Sequence, residues 1–142
     1  MAFGESARES ALLPVERVIA EHGLHICADG VRIDVRLPWY RSLPLSTIEI
    51  EALSIGGTPI DLTSVRFELE GKSWDLHQLA EQTDTFWFVL DQAQLLVPGQ
   101  TLEPGSEYEV AVTIALYPPY IPGMRRSNSQ KLTLKALEGK VQ

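Results

Sequence analysis

The sequence predicts an all-β fold, an antiparallel β-sandwich carrying one short helical segment near 75–82. Three observations lead there. At least seven short runs alternate apolar and polar residues with period two, the pattern of strands that bury one face. Turns bearing Gly or Pro punctuate these runs at fairly regular spacing, as at Asp29-Gly30, Gly56-Gly57, Pro98-Gly99 and Glu103-Pro104-Gly105. Helical periodicity is almost absent, and without strands alternating with long helices a parallel nucleotide-binding sheet is excluded.

Residues 1–13 are small and polar and read as a flexible tail, residues 14–137 as one β-sandwich domain, and residues 138–142 as a C-terminal tail. Pro14–Ala20 and Leu24–Ala28 read as a strand pair interrupted at Glu21-His22-Gly23. Asp29-Gly30 is a hairpin signal leading into a strand in which Val31, Ile33, Val35 and Leu37 face inward. The segment Pro38–Pro44 then breaks the alternation. Its two prolines fix φ and remove backbone donors, so it is not expected to continue a sheet ladder.

Ser46–Ile55 reads as a long strand whose parity changes between Ile50 and Leu53, which places a bulge near Ala52. Val65, Phe67 and Leu69 give another half-buried strand, with a hairpin tip at Gly71-Lys72 before Ser73–Leu76. Asp75–Gln82 is the helical segment, with Asp75 as N-cap and Leu76, Leu79 and Ala80 on one face. Around Phe86, Phe88 and Leu90 the chain is apolar on nearly both sides, so this strand is either covered on both faces or meets a partner. Ala93, Leu95 and Val97 follow. Tyr108, Val110, Val112, Ile114 and Leu116 form the cleanest strand, ending at the proline-rich Tyr117–Pro122, and Lys131–Lys135 closes the sheet.

A length of 142 residues suits one domain with a substantial core. The net charge of −7 argues against nucleic-acid binding, which needs clustered Lys and Arg. One cysteine, Cys27, excludes an internal disulfide. No secretory h-region and no apolar run long enough to span a bilayer is present, so a cytoplasmic protein without membrane contact is expected.

Most polar constellations have a plain reading. His22 and His25 flank Gly23-Leu24, but a metal site usually takes three or four ligands, and His77 lies far off on the helical segment. Cys27 has no general base nearby in sequence and reads as a buried structural thiol. Glu49 with Glu51, and Glu68 with Glu70, mark the wet faces of strands. Ser127 and Ser129 read as part of a polar linker without a nucleophile elbow. No catalytic residue, metal site or bound cofactor is expected in this chain.

Two clusters stand out. Trp39-Tyr40-Arg41 lies between Pro38 and Pro44, and Tyr117-Pro118-Pro119-Tyr120 precedes Pro122. Tyr, Trp and Arg anchor interfaces because they bury much area while keeping a polar end. The competing reading is that Trp39 and Tyr117 plug the ends of the sandwich. Arg36, Trp39, Tyr40, Arg41, Tyr117 and Tyr120 are therefore the candidates for a partner interface or pocket rim.

These segments resemble the small β subunit of bacterial C-glycoside deglycosidases. Arg36-Leu37-Pro38-Trp39-Tyr40-Arg41-Ser42-Leu43-Pro44-Leu45-Ser46 is similar to that family's elbow signature, with Trp39 where the family often has Tyr and Ser42 where it often has Gly. Val65-Arg66-Phe67 with Gly71 and Trp74, the Trp87-Phe88 strand, Gly105, Tyr117–Pro122 and Lys131–Leu134 match in the same order. The similarity runs from about Val15 to Leu137.

The resemblance implies a heteromeric enzyme. A larger α subunit, similar to sugar-phosphate isomerase/epimerase barrels, would carry a divalent metal (typically manganese) and the acid/base residues. The complex would cleave the carbon–carbon bond between a 3-oxo sugar and an aromatic, flavonoid-type aglycone by an elimination-like route. This chain would be the accessory sandwich, inactive alone, in a complex compatible with a higher hetero-oligomer. Two other readings are a free-standing carbohydrate-binding sandwich and a homo-oligomerising scaffold.

Overall fold

The computed structural model describes residues 16–138. The assigned N-terminal tail, Pro14, Val15 and nearly all of the C-terminal tail lie outside that range.

Among the described residues, twelve strands form two facing sheets and a small extra ladder. The first strand, β1 (Ile19–Cys27), turns through Ala28-Asp29 into β2 (Gly30–Arg36). The two halves expected before residue 29 are thus one strand. Ile19 pairs with Val35 and Leu24 with Ile33, so the residues around His22, whose φ is 57°, bulge out of the ladder. Gly30 is required at the hairpin. Its φ is +155°, and a Cβ there would sit 2.2 Å from the Val97 carbonyl oxygen.

Past the elbow, β3 (Leu43–Pro44) is followed by a 3₁₀ turn, Leu45–Thr47, and then by β4 (Ile48–Ile55) and β5 (Thr58–Pro59). A second 3₁₀ turn, Leu62–Ser64, leads to the hairpin of β6 (Arg66–Leu69) and β7 (Lys72–Asp75). The segment expected to be helical is a 3₁₀ helix, Leu76–Glu81, with a capping box between Asp75 and Gln78. Its three-residue turn stacks Leu76 above Leu79, and Ala80 turns out to solvent instead of joining them. The remaining strands are β8 (Phe86–Trp87), β9 (Gln92–Pro98), β10 (Glu107–Leu116), β11 (Arg126–Lys135) and β12 (Leu137–Glu138).

One sheet has the order β12-β1-β2-β9-β6-β7 and the other β11-β10-β4-β5, while β3 and β8 pair by themselves. All pairings are antiparallel except β1 with the two-residue β12, which runs parallel. The core lies between the sheets. Val31, Ile33, Val35, Ala93, Leu95 and Val97 come from one side, and Ile50, Leu53, Val110, Val112 and Ile114 from the other. The bulge in β4 falls at Glu51, because Ala52 opposes Thr113 while Ile50 opposes Ile114. That extra residue returns Leu53 and Ile55 to the core face. Phe67 and Trp87 are fully buried and meet edge to face, with ring centroids 5.3 Å apart.

Four further expectations need correcting. Leu43–Pro44 leave the main sheet but do form a ladder, to Phe86–Trp87. Ser127 and Ser129 are not in a linker: β11 begins at Arg126, and they pair with Ala115 and Thr113. The strand was hidden because its inward positions start with Arg126, Asn128 and Gln130 instead of apolar residues. Cys27 is only half-buried, since it is the last residue of β1 beside the hairpin turn. Finally, the chain at Phe86–Leu90 is not covered on both faces. Trp87 is fully buried, whereas Phe86, Phe88 and Leu90 are exposed.

Among the described residues no helix is long and apolar enough to cross a membrane.

Candidate functional site

The elbow forms because the β2 alternation stops at buried Leu37 and Pro38, after which the Trp39 amide donates back to the Leu37 carbonyl at 2.8 Å. That turn drives Trp39 into the sandwich end, where it is 5% exposed, and leaves Tyr40 outside, 59% exposed. Farther on, Ser42 Oγ accepts from the Val89 amide at 3.0 Å, and Leu43 and Leu45 are wholly buried. The loop is therefore pinned on both sides of its exposed tip.

The tertiary structure brings four of the candidates together. Trp39 Nε1 donates to the Tyr120 hydroxyl at 2.5 Å. The Trp39 and Tyr40 rings lie 4.8 Å apart, and the Arg41 guanidinium stands 4.8 Å from the centre of the Tyr120 ring. A hydrogen bond to Tyr120 holds Tyr40 in its protonated form and raises its pKa; partial desolvation and the Tyr120 charge add to this, and Arg41 opposes it. Arg126, from the start of β11, sits 5.8 Å from the centre of the Trp39 ring.

Tyr117 belongs to a neighbouring cluster. Its hydroxyl donates to Glu49 Oε1 at 2.7 Å, which raises its pKa, and accepts from Arg125 Nε at 3.1 Å. Arg125 also pairs with Glu51, whose other oxygen accepts from Ser127 Oγ at 2.9 Å. The two carboxylates are thus taken up by this outward-facing network. Arg36 stands apart from both clusters. It lines an open cleft between β1 and β11, together with Arg17, Gln130 and Lys135.

Trp39 thus plugs the sandwich end and carries Tyr120 on its indole N–H. Arg125 and Arg126 were missed as site residues. The available signal was that Arg126, Asn128, Gln130, Leu132 and Leu134 share one strand face. His25 is bonded to Asp34 at 3.0 Å, and among the described residues no three His, Cys, Asp or Glu side chains are grouped to hold a metal ion.

The family described as C-glycoside deglycosidase beta subunit matches residues 16–120, a stretch that holds the elbow and Tyr120. A 3'-dehydrocarminate deglycosidase beta subunit from Microbacterium sp is 35% identical over 128 residues, covering 86% of this chain and 96% of that protein. A C-glycoside deglycosidase beta subunit from Arthrobacter globiformis is 38% identical over 89 residues, 62% of this chain and 67% of its own length. One from Microbacterium trichothecenolyticum is 36% identical over 106 residues, 75% and 80% respectively. The chain belongs to the family of C-glycoside deglycosidase beta subunits and is one component of an enzyme complex with a partner subunit.

Proposed function

We propose that this chain is the accessory subunit of a complex that cleaves the carbon–carbon bond between a 3-oxo-glucosyl group and an aromatic, flavonoid-type aglycone. The name of the Microbacterium sp relative supports an oxidised sugar, since it specifies a 3'-dehydro substrate. A ketone at C3, installed by a separate enzyme, makes the C2 proton acidic. A base removes that proton, and the freed electron pair becomes the C1=C2 double bond. The C1–aryl pair returns to the aglycone carbon, which gains a proton from an acid. The products are the free aglycone and an unsaturated anhydro-keto sugar.

The acid, the base and a divalent metal, expected to be manganese, are assigned to a barrel-type α subunit similar to sugar-phosphate isomerases and epimerases. This chain supplies shape and grip. The observation that carries the reading is the Trp39–Tyr40–Arg41–Tyr120 cluster, which presents two partly exposed tyrosines and a guanidinium on a loop pinned by Leu37, Ser42 and buried Leu43. Such pre-ordered aromatic and Arg groups associate with little loss of conformational entropy. Tyr117 belongs to the outer rim.

The test is reconstitution with a barrel-type α subunit. Turnover of a 3-oxo C-glucoside is expected from the pair and not from this chain alone. Arg41→Ala and Tyr40→Ala are each expected to weaken association by about 2 kcal/mol if they are hot spots. Full turnover by this chain alone overturns the accessory role, and unchanged affinity in both variants removes the cluster from the interface.

A further inference from the structure

Among the described residues the large apolar side chains left exposed are not scattered. Phe86 is 43% exposed, Phe88 55% and Leu90 92%, the first in β8 and the other two on its connection to β9. The others are Tyr40 on the elbow and Tyr117, Tyr120 and Ile121 on the loop after β10. These loops lie at one end of the sandwich, where β2 runs out and β9 begins, since Arg36 pairs with Gln92. Single exposed apolar residues are ordinary, but the largest patch on a typical monomer is roughly 300–600 Å². With roughly 150–250 Å² of area per large aromatic ring, these seven partly exposed side chains offer on the order of 800 Å². That is about the share one partner contributes to a stable interface.

The Phe86–Leu90 loop is also held rigid. Trp87 is fully buried and its Nε1 donates to the Asp91 carbonyl at 2.9 Å. The Asp91 amide closes onto the Phe88 carbonyl at 2.9 Å, and the Val89 amide is held by Ser42 of the elbow at 3.0 Å. The apolar loop and the aromatic elbow are thus tied into one surface by the Val89–Ser42 bond.

We infer that the Phe86–Leu90 loop is the apolar anchor on which the partner subunit docks, with Phe88 and Leu90 entering a complementary apolar groove on that subunit. The inference rests on the subunit reading and deepens it: the loop grips, and the Tyr40–Arg41–Tyr120 cluster is carried alongside, facing the same partner. The occupant is the partner subunit because membership of the beta-subunit family requires one, the area matches a stable heteromeric contact, and the apolar loop is continuous with the aromatic elbow.

The test uses the co-expressed complex carrying Phe88→Asp with Leu90→Asp, and Leu90→Ala as a milder variant. The double variant is expected to raise the dissociation constant at least about 100-fold, and Leu90→Ala roughly 10-fold. The melting temperature of the isolated chain should hold steady in both, because neither side chain packs in the core. An unchanged dissociation constant in the double variant overturns the docking site, while the wild-type complex still forming leaves the subunit reading intact. Failure of the wild-type chain to associate at all overturns both. Two further results also overturn the inference: a wild-type homodimer that the double variant dissolves, or hydrophobic-dye binding at the loop that appears only when residues 1–15 are deleted.

Discussion

The hydrogen bond from Trp39 to Tyr120 can be weighed by a double-mutant cycle. Tyr120→Phe removes the acceptor while keeping the ring under Arg41, so the Trp39 N–H is left in a site where its residue is 5% exposed. Stranding a donor with so little access to water costs about 1–3 kcal/mol. Trp39→Phe removes the donor instead. Tyr120 is 43% exposed, so water takes over at its hydroxyl, and the bond itself accounts for only about 0.5–1.5 kcal/mol of the loss. The smaller ring adds a packing cost on top. Once Trp39 is gone, Tyr120→Phe should be nearly free, giving a coupling energy of about 1 kcal/mol. Urea titration of the isolated chain, followed by fluorescence of Trp74 and Trp87, measures all four corners. Additive losses, with coupling inside the roughly 0.3 kcal/mol scatter of independent sites, would refute the claim that this bond ties the elbow to the loop after β10.

Other predictions concern titration and the backbone. Tyr40 holds its proton more tightly folded than unfolded, so its contribution to stability is complete below the ordinary tyrosine value near 10 and fades as pH climbs through the raised folded value. Ultraviolet difference titration should show that high value and a return toward normal in Tyr120→Phe; an identical curve in the variant would disprove the pairing. Gly30→Ala forces a Cβ to 2.2 Å from the Val97 carbonyl oxygen at φ +155°, and should lower unfolding free energy by on the order of 3 kcal/mol in thermal or urea melts. A wild-type melt for Gly30→Ala would mean that the β2–β9 register differs from that described.

How much of this was legible in the sequence depended on local contrast. The strands β2, β6, β9 and β10 were plain because each carries an apolar residue at every second position, and the β4 bulge was visible as a slip in alternation near Ala52, one residue from where it falls. β11 was half-missed because the inner face of its first half is polar: Gln130 reaches across to accept from the amides of Val18 and Ile19 at 2.9 and 2.8 Å. Such a long-range bond leaves no trace in periodicity. The segment after Asp75 read as helical from its cap, but only the three-residue stacking of Leu76 on Leu79 shows that the turn is 3₁₀.

The site divides along the same line. Arg41, Tyr40 and Trp39 were conspicuous because two prolines bracket them, and Tyr120 because of its proline-rich loop. That these segments touch, 81 residues apart, follows only from β10 carrying the chain back to the end where β2 leaves its sheet. Arg36 was grouped with them by adjacency in sequence, yet the tight turn at Leu37–Trp39 sends it to a different cleft.

By itself the sequence determined the all-β class, the hairpin turns, the core faces and a resemblance that family comparison places among beta subunits. All of these depend on residues near one another along the chain, where alternation and turn chemistry act directly. The tertiary structure alone decided that Trp39 goes inside while Tyr40 stays out, that Arg126 lies over the indole, and that the exposed apolar residues gather at one end. Those outcomes depend on which loops two stacked sheets deliver to the same end, a geometry set by strand order and register.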